Sequence, residues 1–598
     1  MKKKDTKERT DRDDTKDRQT KYKDATKMLT PFQLTDSVVV AAVATKKETD
    51  LDPEGGPEGG PEGGPEGDPE GDPKDNVSKG GLQGTVGSLV GSLKRSLTMQ
   101  TQPERVSFTN ESLREAIRVY MQTNGVDCPH GTIGTWDVHQ VTDMSYLFQT
   151  CHTFNESLEN WDVSNVVNME CMFDNCHAFN QPLHTWNVSH VVNMRGMLYR
   201  CHTFNQPLHT WDVSRVTDMD GLFQGCLVFN HPLADWNVSN VVVMSNMFKE
   251  CHAFNQPLEN WDVSHVTHMS TMFMDCFAFN QPLQAWNVSH VMDMEGMFDS
   301  CALFNQSLQT WNVSNVVNMV AMFCNCHAFN QPLENWDVSH VVNMKHMFCG
   351  CDVFNQPLLA WNVSQVDDMN SMFCTCRMFN QPLDTWNVSN VIDMEYMFAG
   401  CSAFDQPLQA WDVSNVVDMS NMFDGCRAFN QPLANWYVSN VSDMYHMFRE
   451  CTVFDQPLHA WDVSNVVTMH GMFCKCRAFN QPLQDWNVSN VCNMAGMFYG
   501  CSAFDQPLQA WDVSHVCNME GMFRGCIAFN QPLADWNVTH VENMMHMFHK
   551  CPAFDQPLFA WTQQNTCMQV QAQLNVFFSV ADQETRCFDP ERTDYLLK

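Results

Sequence analysis

One feature outranks every other in deciding what this chain can fold into: a period of 25 residues. All 18 tryptophans fall on a single register, stepping from Trp136, Trp161 and Trp186 to Trp536 and Trp561, and no tryptophan lies outside it. The text around each one also returns, as in FNQPLHTWNVSHVVNM from Phe179 to Met194. A 25-residue unit is too short to enclose its own apolar face. Stacked copies bury it against one another, so the period predicts one continuous array in place of several globular domains.

Within a copy the hydrophobic spacing changes. Trp161 and Val163 alternate with Asp162 and Ser164, which predicts a short strand. Val166, Met169, Met172, Phe173 and Cys176 follow at intervals of three, three, one and three. That is the buried stripe of a short helix, with Ser164 placed as its N-cap. Pro182 bars the helix from continuing, and Phe179 to Leu183 turn the chain back. The predicted fold is an α/β solenoid of about 17 strand-helix-turn units wound right-handed. Strands stack about 4.8 Å apart and helices about 10 Å apart, so the strand side is expected to be concave.

The ends are of different composition. Residues 1–105 are charged and low in apolar residues, and contain PEGGPEGGPEGGPEGDPEGDP; a disordered tether is expected there. Residues 106–135 carry an amphipathic helix, with Leu113, Ala116, Ile117 and Tyr120 at helical spacing and Asn124-Gly125 closing it. Such a segment beside the first repeat is expected to cap the array. The repeats occupy 136–561, and residues 562–598, with Val570, Leu574, Val576, Phe577 and Phe578, are expected to cap the other end.

The unit FNQPLxxWDVSxVxxMxxMFxxC resembles the BspA-like leucine-rich-repeat proteins, in the 25-residue form first catalogued as a domain of unknown function in mycoplasma proteins. The lead-in GTIGTWDVHQVTDMSYLF, residues 131 to 148, is similar to that family's entry segment. The resemblance implies a leucine-rich-repeat-like solenoid without known catalysis and without cofactors. For bacterial members it implies surface attachment and protein binding.

Charge narrows the partners. The formal net charge is −34, and all but two of those charges lie beyond residue 100, where 50 acidic residues face 18 basic ones. Such a surface repels nucleic acid and anionic membranes. No run of eighteen apolar residues suggests a membrane span. The lysine-rich start lacks the apolar core of a secretory signal, which points away from the usual export route. Unpaired cysteines in such number also favour a reducing, intracellular compartment, against the surface location that the resemblance implies.

Three sets of residues are candidates for chemistry. Cysteines form a ladder from Cys151 to Cys551, with Cys-x-Cys pairs at Cys324/Cys326, Cys349/Cys351, Cys374/Cys376 and Cys474/Cys476. Thiolate-bound zinc is one use for such pairs. With helical turns about 10 Å apart, however, neither disulfides nor a shared metal is expected, and buried thiols serving as small apolar groups are. Histidines beside ladder cysteines, as in Cys176-His177, suggest a nucleophile and base, but adjacent side chains point apart and an array offers no single convergent pocket. Asp137, Asp162, Asp212, Asp262, Asp337, Asp412, Asp462 and Asp512 line up as a weak calcium candidate, or as turn caps.

The sequence therefore predicts a non-catalytic scaffold for protein–protein interaction or adhesion. Its specificity is expected at variable positions on the helix turns, such as Tyr146, Arg195, Lys345, Tyr396 and His446. The alternative is an array whose Asp/Asn and Ser rows bind a periodic polysaccharide or calcium ions.

Overall fold

The computed structural model describes residues 107–126, 128–565, 570 and 573. The chain divides into two units, Met1–Thr98 and Met99–Lys598, and all described residues belong to the second. The tether expected over 1–105 and the capping residues Leu574, Val576, Phe577 and Phe578 lie outside the described residues.

The coil from Phe329 to Val353 represents the array. Met344, Met347, Phe348 and Cys351 are fully buried, as their spacing requires, yet they do not form a helix. Two consecutive turns replace it, closed by Met347 N–H to Met344 C=O at 3.1 Å and Cys351 N–H to Phe348 C=O at 3.0 Å. The third residue of each turn has positive φ, 57° at His346 and 77° at Gly350, as type II turns need. Every coil from Tyr146 and Thr150 to His546 and Lys550 repeats both corners. Turn ends point inward and corners outward, so residues i, i+3, i+4 and i+7 are buried without helical backbone. Glycine occupies six of the seventeen positions at each corner, because only it adopts this conformation without steric cost.

Backbone pairing explains why the turns prevail. Met344, His346, Phe348 and Gly350 each donate N–H to the next coil, to C=O of Asp368, Asn370, Met372 and Cys374 at 2.8–3.1 Å. Of the amides between them, Met347 and Cys349 bond to carbonyls within the coil and Lys345 donates to Asn343 Oδ1, so this face satisfies its backbone groups through its neighbour much as a sheet does. Parallel pairing is registered at one residue per coil, from Asp143 with Asn168 to Asn518 with Asn543 in steps of 25.

The strand expected at Trp161 and Val163 is also corrected. Burial alternates there, but the lateral backbone pairing lies on the turn face instead. Around the tryptophans, side chains join the coils. Trp336 Nε1 donates to Leu308 C=O of the preceding coil at 3.0 Å, and Cys351 Sγ to Phe323 C=O at 3.0 Å. Asn305 Oδ1 accepts the Asn330 N–H and the Gln331 amide, both at 3.0 Å.

Ring spacing locates the wide side. Successive rings lie 5.7 Å apart for Phe323 and Phe348, 6.0 Å for Phe329 and Phe354, and 6.4 Å for Trp311 and Trp336. Pure translation would space every position equally, so each coil is also rotated relative to the last. The close edge is the turn face, opposite to the expected strand edge.

Helix α1 (Asn110–Thr123) precedes the array. Thr109 and Ser112 form its capping box, and Asn124 in the left-handed region ends it. Leu113, Ala116, Ile117 and Tyr120 are buried, with the Tyr120 ring edge-on to Trp136 at 5.9 Å. The last repeat ends in a short helix α2 (Phe559–Gln564), which contains Trp561. Beyond it, Asn565 donates to the carbonyls of Val538 and Val541 at 2.7 and 2.8 Å, and Val570 is buried.

Candidate functional site

The turn face carries the residues that differ between coils. Two of the sequence-predicted partner residues, Arg195 and Lys345, occupy the second position of the first turn, and three, Tyr146, Tyr396 and His446, its positive-φ corner. They therefore stand on turn corners and not on the helix turns expected. They are spread along the array, with no single pocket among them.

Neighbouring coils set the environment of each. The Tyr146 hydroxyl donates to Glu170 at 2.6 Å, which pushes its pKa up to about 12. Arg195 pairs with Asp220 at 3.2 Å while its side chain stays 55% exposed. Burial raises the Tyr396 hydroxyl, and it lowers His446 to about 4, helped by Arg449 and His470. Further along, Glu450 pairs with Lys475 at 2.6 Å and Arg427 at 3.1 Å, and Arg449 with Asp424 at 3.2 Å. A depression of about 280 Å³ on this face is lined in part by His470, Tyr499, Glu520, Arg524 and His546.

Beside these corners runs a feature that sequence reasoning missed. Val167, Val192, Val242, Met292, Val317, Val342, Ile392, Val417 and Val467 occupy equivalent positions, and all are exposed. Their backbones are linked directly, as Val192 N–H to Val167 C=O at 2.9 Å and Val342 N–H to Val317 C=O at 3.0 Å show. The result is an exposed aliphatic row, interrupted by polar residues such as Asp367 and Ser442. Contiguous exposed apolar surface is a common feature of protein-contact sites. The clue in the sequence was a second valine, outside the buried pattern, in VSNVVNM.

The aspartate row has local work. Oδ1 of Asp162, Asp212, Asp262, Asp337, Asp412, Asp462 and Asp512 accepts the N–H of the serine two residues on, at 3.0–3.1 Å. Asp137 does the same for His139 at 3.3 Å. Hydrogen bonds from the serine hydroxyl and N–H hold Asp212, Asp262, Asp337 and Asp512 below the usual carboxylate range. Among the described residues no cluster of three or more acidic, histidine or cysteine side chains is arranged to hold a metal ion.

The cysteines divide into two populations. Ladder thiols such as Cys301 and Cys326 are buried, raised far above the usual thiol range by that burial, and donate to carbonyls of the previous coil. The expected 10 Å separation is corrected here, because these coils lie within backbone hydrogen-bonding distance. His177 stacks between His152 and His202 at 4.6 and 4.4 Å, whereas Cys176 faces Phe148 C=O at 3.1 Å, so the adjacent Cys and His are held apart.

Coil geometry and side-chain bridging together define a tandem-repeat solenoid. Five overlapping stretches, residues 118–215, 204–311, 292–406, 375–486 and 468–584, match DUF285, described as a Mycoplasma protein of unknown function, and the chain belongs to this family. No curated protein matches it. Solved structures similar to it include a leucine rich cell surface protein from Faecalibacterium prausnitzii A2-165, at 15% identity over 53% of this chain and 81% of that one with a TM-score of 0.31. Others are the TLR13–ssRNA13 complex, at 10% identity over 70% and 81% with a TM-score of 0.16, and the Drosophila Toll–Spatzle complex, at 8% identity over 63% and 56% with a TM-score of 0.21. No helix among the described residues is long and apolar enough to cross a membrane.

Proposed function

We propose that the chain is a non-catalytic interaction scaffold of the BspA-like kind, and that its partner proteins dock along the turn face. The exposed row from Val167 to Val467 carries this reading. It supplies apolar contact area, while the flanking corners, including Tyr146, Arg195, Lys345, Tyr396 and His446, supply a different chemistry at each coil. Adhesion is one use of such a surface. The rival reading, glycan or calcium held by the aspartate row, has less support, because each Oδ1 already accepts a backbone N–H.

The test uses the full chain as bait in native extract, with and without calcium chelator. Val317→Lys and Val342→Lys together are expected to remove captured protein, with unchanged tryptophan fluorescence reporting an intact array. Asp337→Asn and Asp412→Asn together are expected to leave capture unaltered. Capture that survives the lysines but disappears with chelator or with the asparagines would replace this proposal by the rival.

A further inference from the structure

The Cys-x-Cys pairs take no part in that surface. Within a pair the two sulfurs diverge: Cys351 points into the core and donates to Phe323 C=O at 3.0 Å, while Cys349 sits half-buried at the second position of a turn. Equivalent positions on the adjoining coils are Cys324 and Cys374, also half-buried. The peptides that follow are locked in register, Asn325 N–H on Cys349 C=O at 2.6 Å and Gly350 N–H on Cys374 C=O at 2.8 Å. Three cysteines therefore stand in file, one per coil, with Cys349 between the other two and its N–H on His346 C=O at 3.0 Å. Asp299 and Ala399 occupy the next places at the two ends of the file.

Geometry decides between metal and disulfide. Neighbouring positions on paired backbones are about 4.8 Å apart, inside the Cα range of roughly 4.4–6.8 Å that a disulfide spans. The outer two sulfurs are separated by about twice that spacing, too far for one zinc with bonds of about 2.3 Å to each. We propose that Cys324, Cys349 and Cys374 form an oxidant-sensitive site in which Cys349 closes a reversible cross-coil disulfide with either neighbour. The neighbouring thiols hold Cys349 below the usual thiol range, while Cys349 and burial together push Cys324 and Cys374 above it.

With a peroxide as oxidant the step balances. The Cys349 thiolate attacks one oxygen of hydrogen peroxide, the O–O bond breaks, and the departing hydroxide takes up the proton that Cys349 released on ionising and leaves as water. The sulfenic acid is then attacked by the sulfur of Cys324 or Cys374, the S–O bond breaks, and a second water leaves. Both sulfurs are oxidised and the peroxide is reduced. The bond ties two coils at the second position of a turn, where partial exposure leaves it open to reduction by thiols.

Cys474 is the internal control. It occupies the equivalent position in another coil, but its neighbours are Arg449 and Tyr499, and burial raises its pKa to about 11. The full chain is treated with hydrogen peroxide, quenched with catalase, alkylated in denaturant, digested and analysed by mass spectrometry. The expected product joins the Cys349 peptide to that of Cys324 or Cys374, two hydrogens lighter, and is reversed by dithiothreitol, while Cys474 remains alkylated. Cys324→Ser is expected to channel all of it to Cys374, and Cys374→Ser to Cys324. The idea is overturned if Cys349 is alkylated as fully as Cys474, if it reaches sulfinic acid with both neighbours still alkylated, or if disulfides are equally frequent at Cys326 and Cys351. The wild-type result decides even where a variant fails to fold.

Discussion

The asparagine after each repeat's first phenylalanine offers the sharpest test of how the coils are joined. Asn330 Oδ1 accepts two hydrogen bonds from the next coil, from the Asn355 N–H at 2.9 Å and the Gln356 amide at 3.0 Å. Asn330→Ala removes this acceptor and with it both bonds. Each bond contributes about 1 kcal/mol net, and a half-buried N–H left without a partner adds to that, so the loss is about 2–3 kcal/mol. Asn330→Asp should be nearly silent, within about 0.5 kcal/mol. The array already contains that experiment, because Asp405 fills the same role, accepting the Asn430 N–H and the Gln431 amide at 2.9 Å. Asn330→Leu keeps the bulk without the acceptor and should fall with the alanine variant. Urea unfolding followed by tryptophan fluorescence measures the loss, and hydrogen exchange at the Asn355 amide localises it. If alanine behaves as wild type, if aspartate is as harmful as alanine, or if leucine rescues, the acceptor is not what selects this residue.

Other consequences follow from the same coil. Thr375 is β-branched at a corner with φ 60°, so Thr375→Gly should raise stability by about 1 kcal/mol in urea unfolding, relief of strain outweighing the added chain entropy. Burial holds Asp299 up at about 6, above its value near 4 in the unfolded chain, so the fold binds more protons and loses stability as pH rises from about 4 to about 6. Asp299→Asn should therefore stabilise by about 2 kcal/mol at pH 7 and by almost nothing at pH 4, read from unfolding midpoints at both. Asp212, Asp262, Asp337 and Asp512 act with the opposite sign: their contribution is present above the unfolded pKa and fades as pH falls through the lowered folded values. Changing all four to asparagine should blunt acid unfolding below about pH 4, seen by circular dichroism. Excising residues 330–354, which joins Phe329 to Asn355, preserves the inter-coil contacts that recur with the repeat and should yield a cooperative, folded chain; removing one residue fewer should not.

Register and burial were legible in the sequence, and backbone conformation was not. Trp336, Val338, Val341, Met344, Met347, Phe348 and Cys351 are all buried, as their spacing required. The same spacing misled about the helix. Two four-residue turns in succession bury i, i+3, i+4 and i+7, so Met344, Met347, Phe348 and Cys351 give an identical signature in either conformation. The contrary signal was glycine, at positions such as Gly196, Gly350 and Gly525, where a helix interior disfavours it by about 1 kcal/mol each. With the helix went the assumed 10 Å spacing, and with that the reason for keeping Cys324, Cys349 and Cys374 apart. The Val342 row escaped notice because its neighbour Val341 accounted for the apolar pattern.

The bridges made by the recurring tryptophan, cysteine and glutamine side chains point one way. Trp336, Cys351 and Gln331 reach back to the preceding coil, and none of these donors reaches forward. Each coil thus presents the following one with the acceptors it received itself, and the two faces of a coil are complementary to each other. Gain or loss of whole repeats would give the protein a longer or shorter array already able to fold. Length becomes a heritable variable, open to change without a new interface having to evolve.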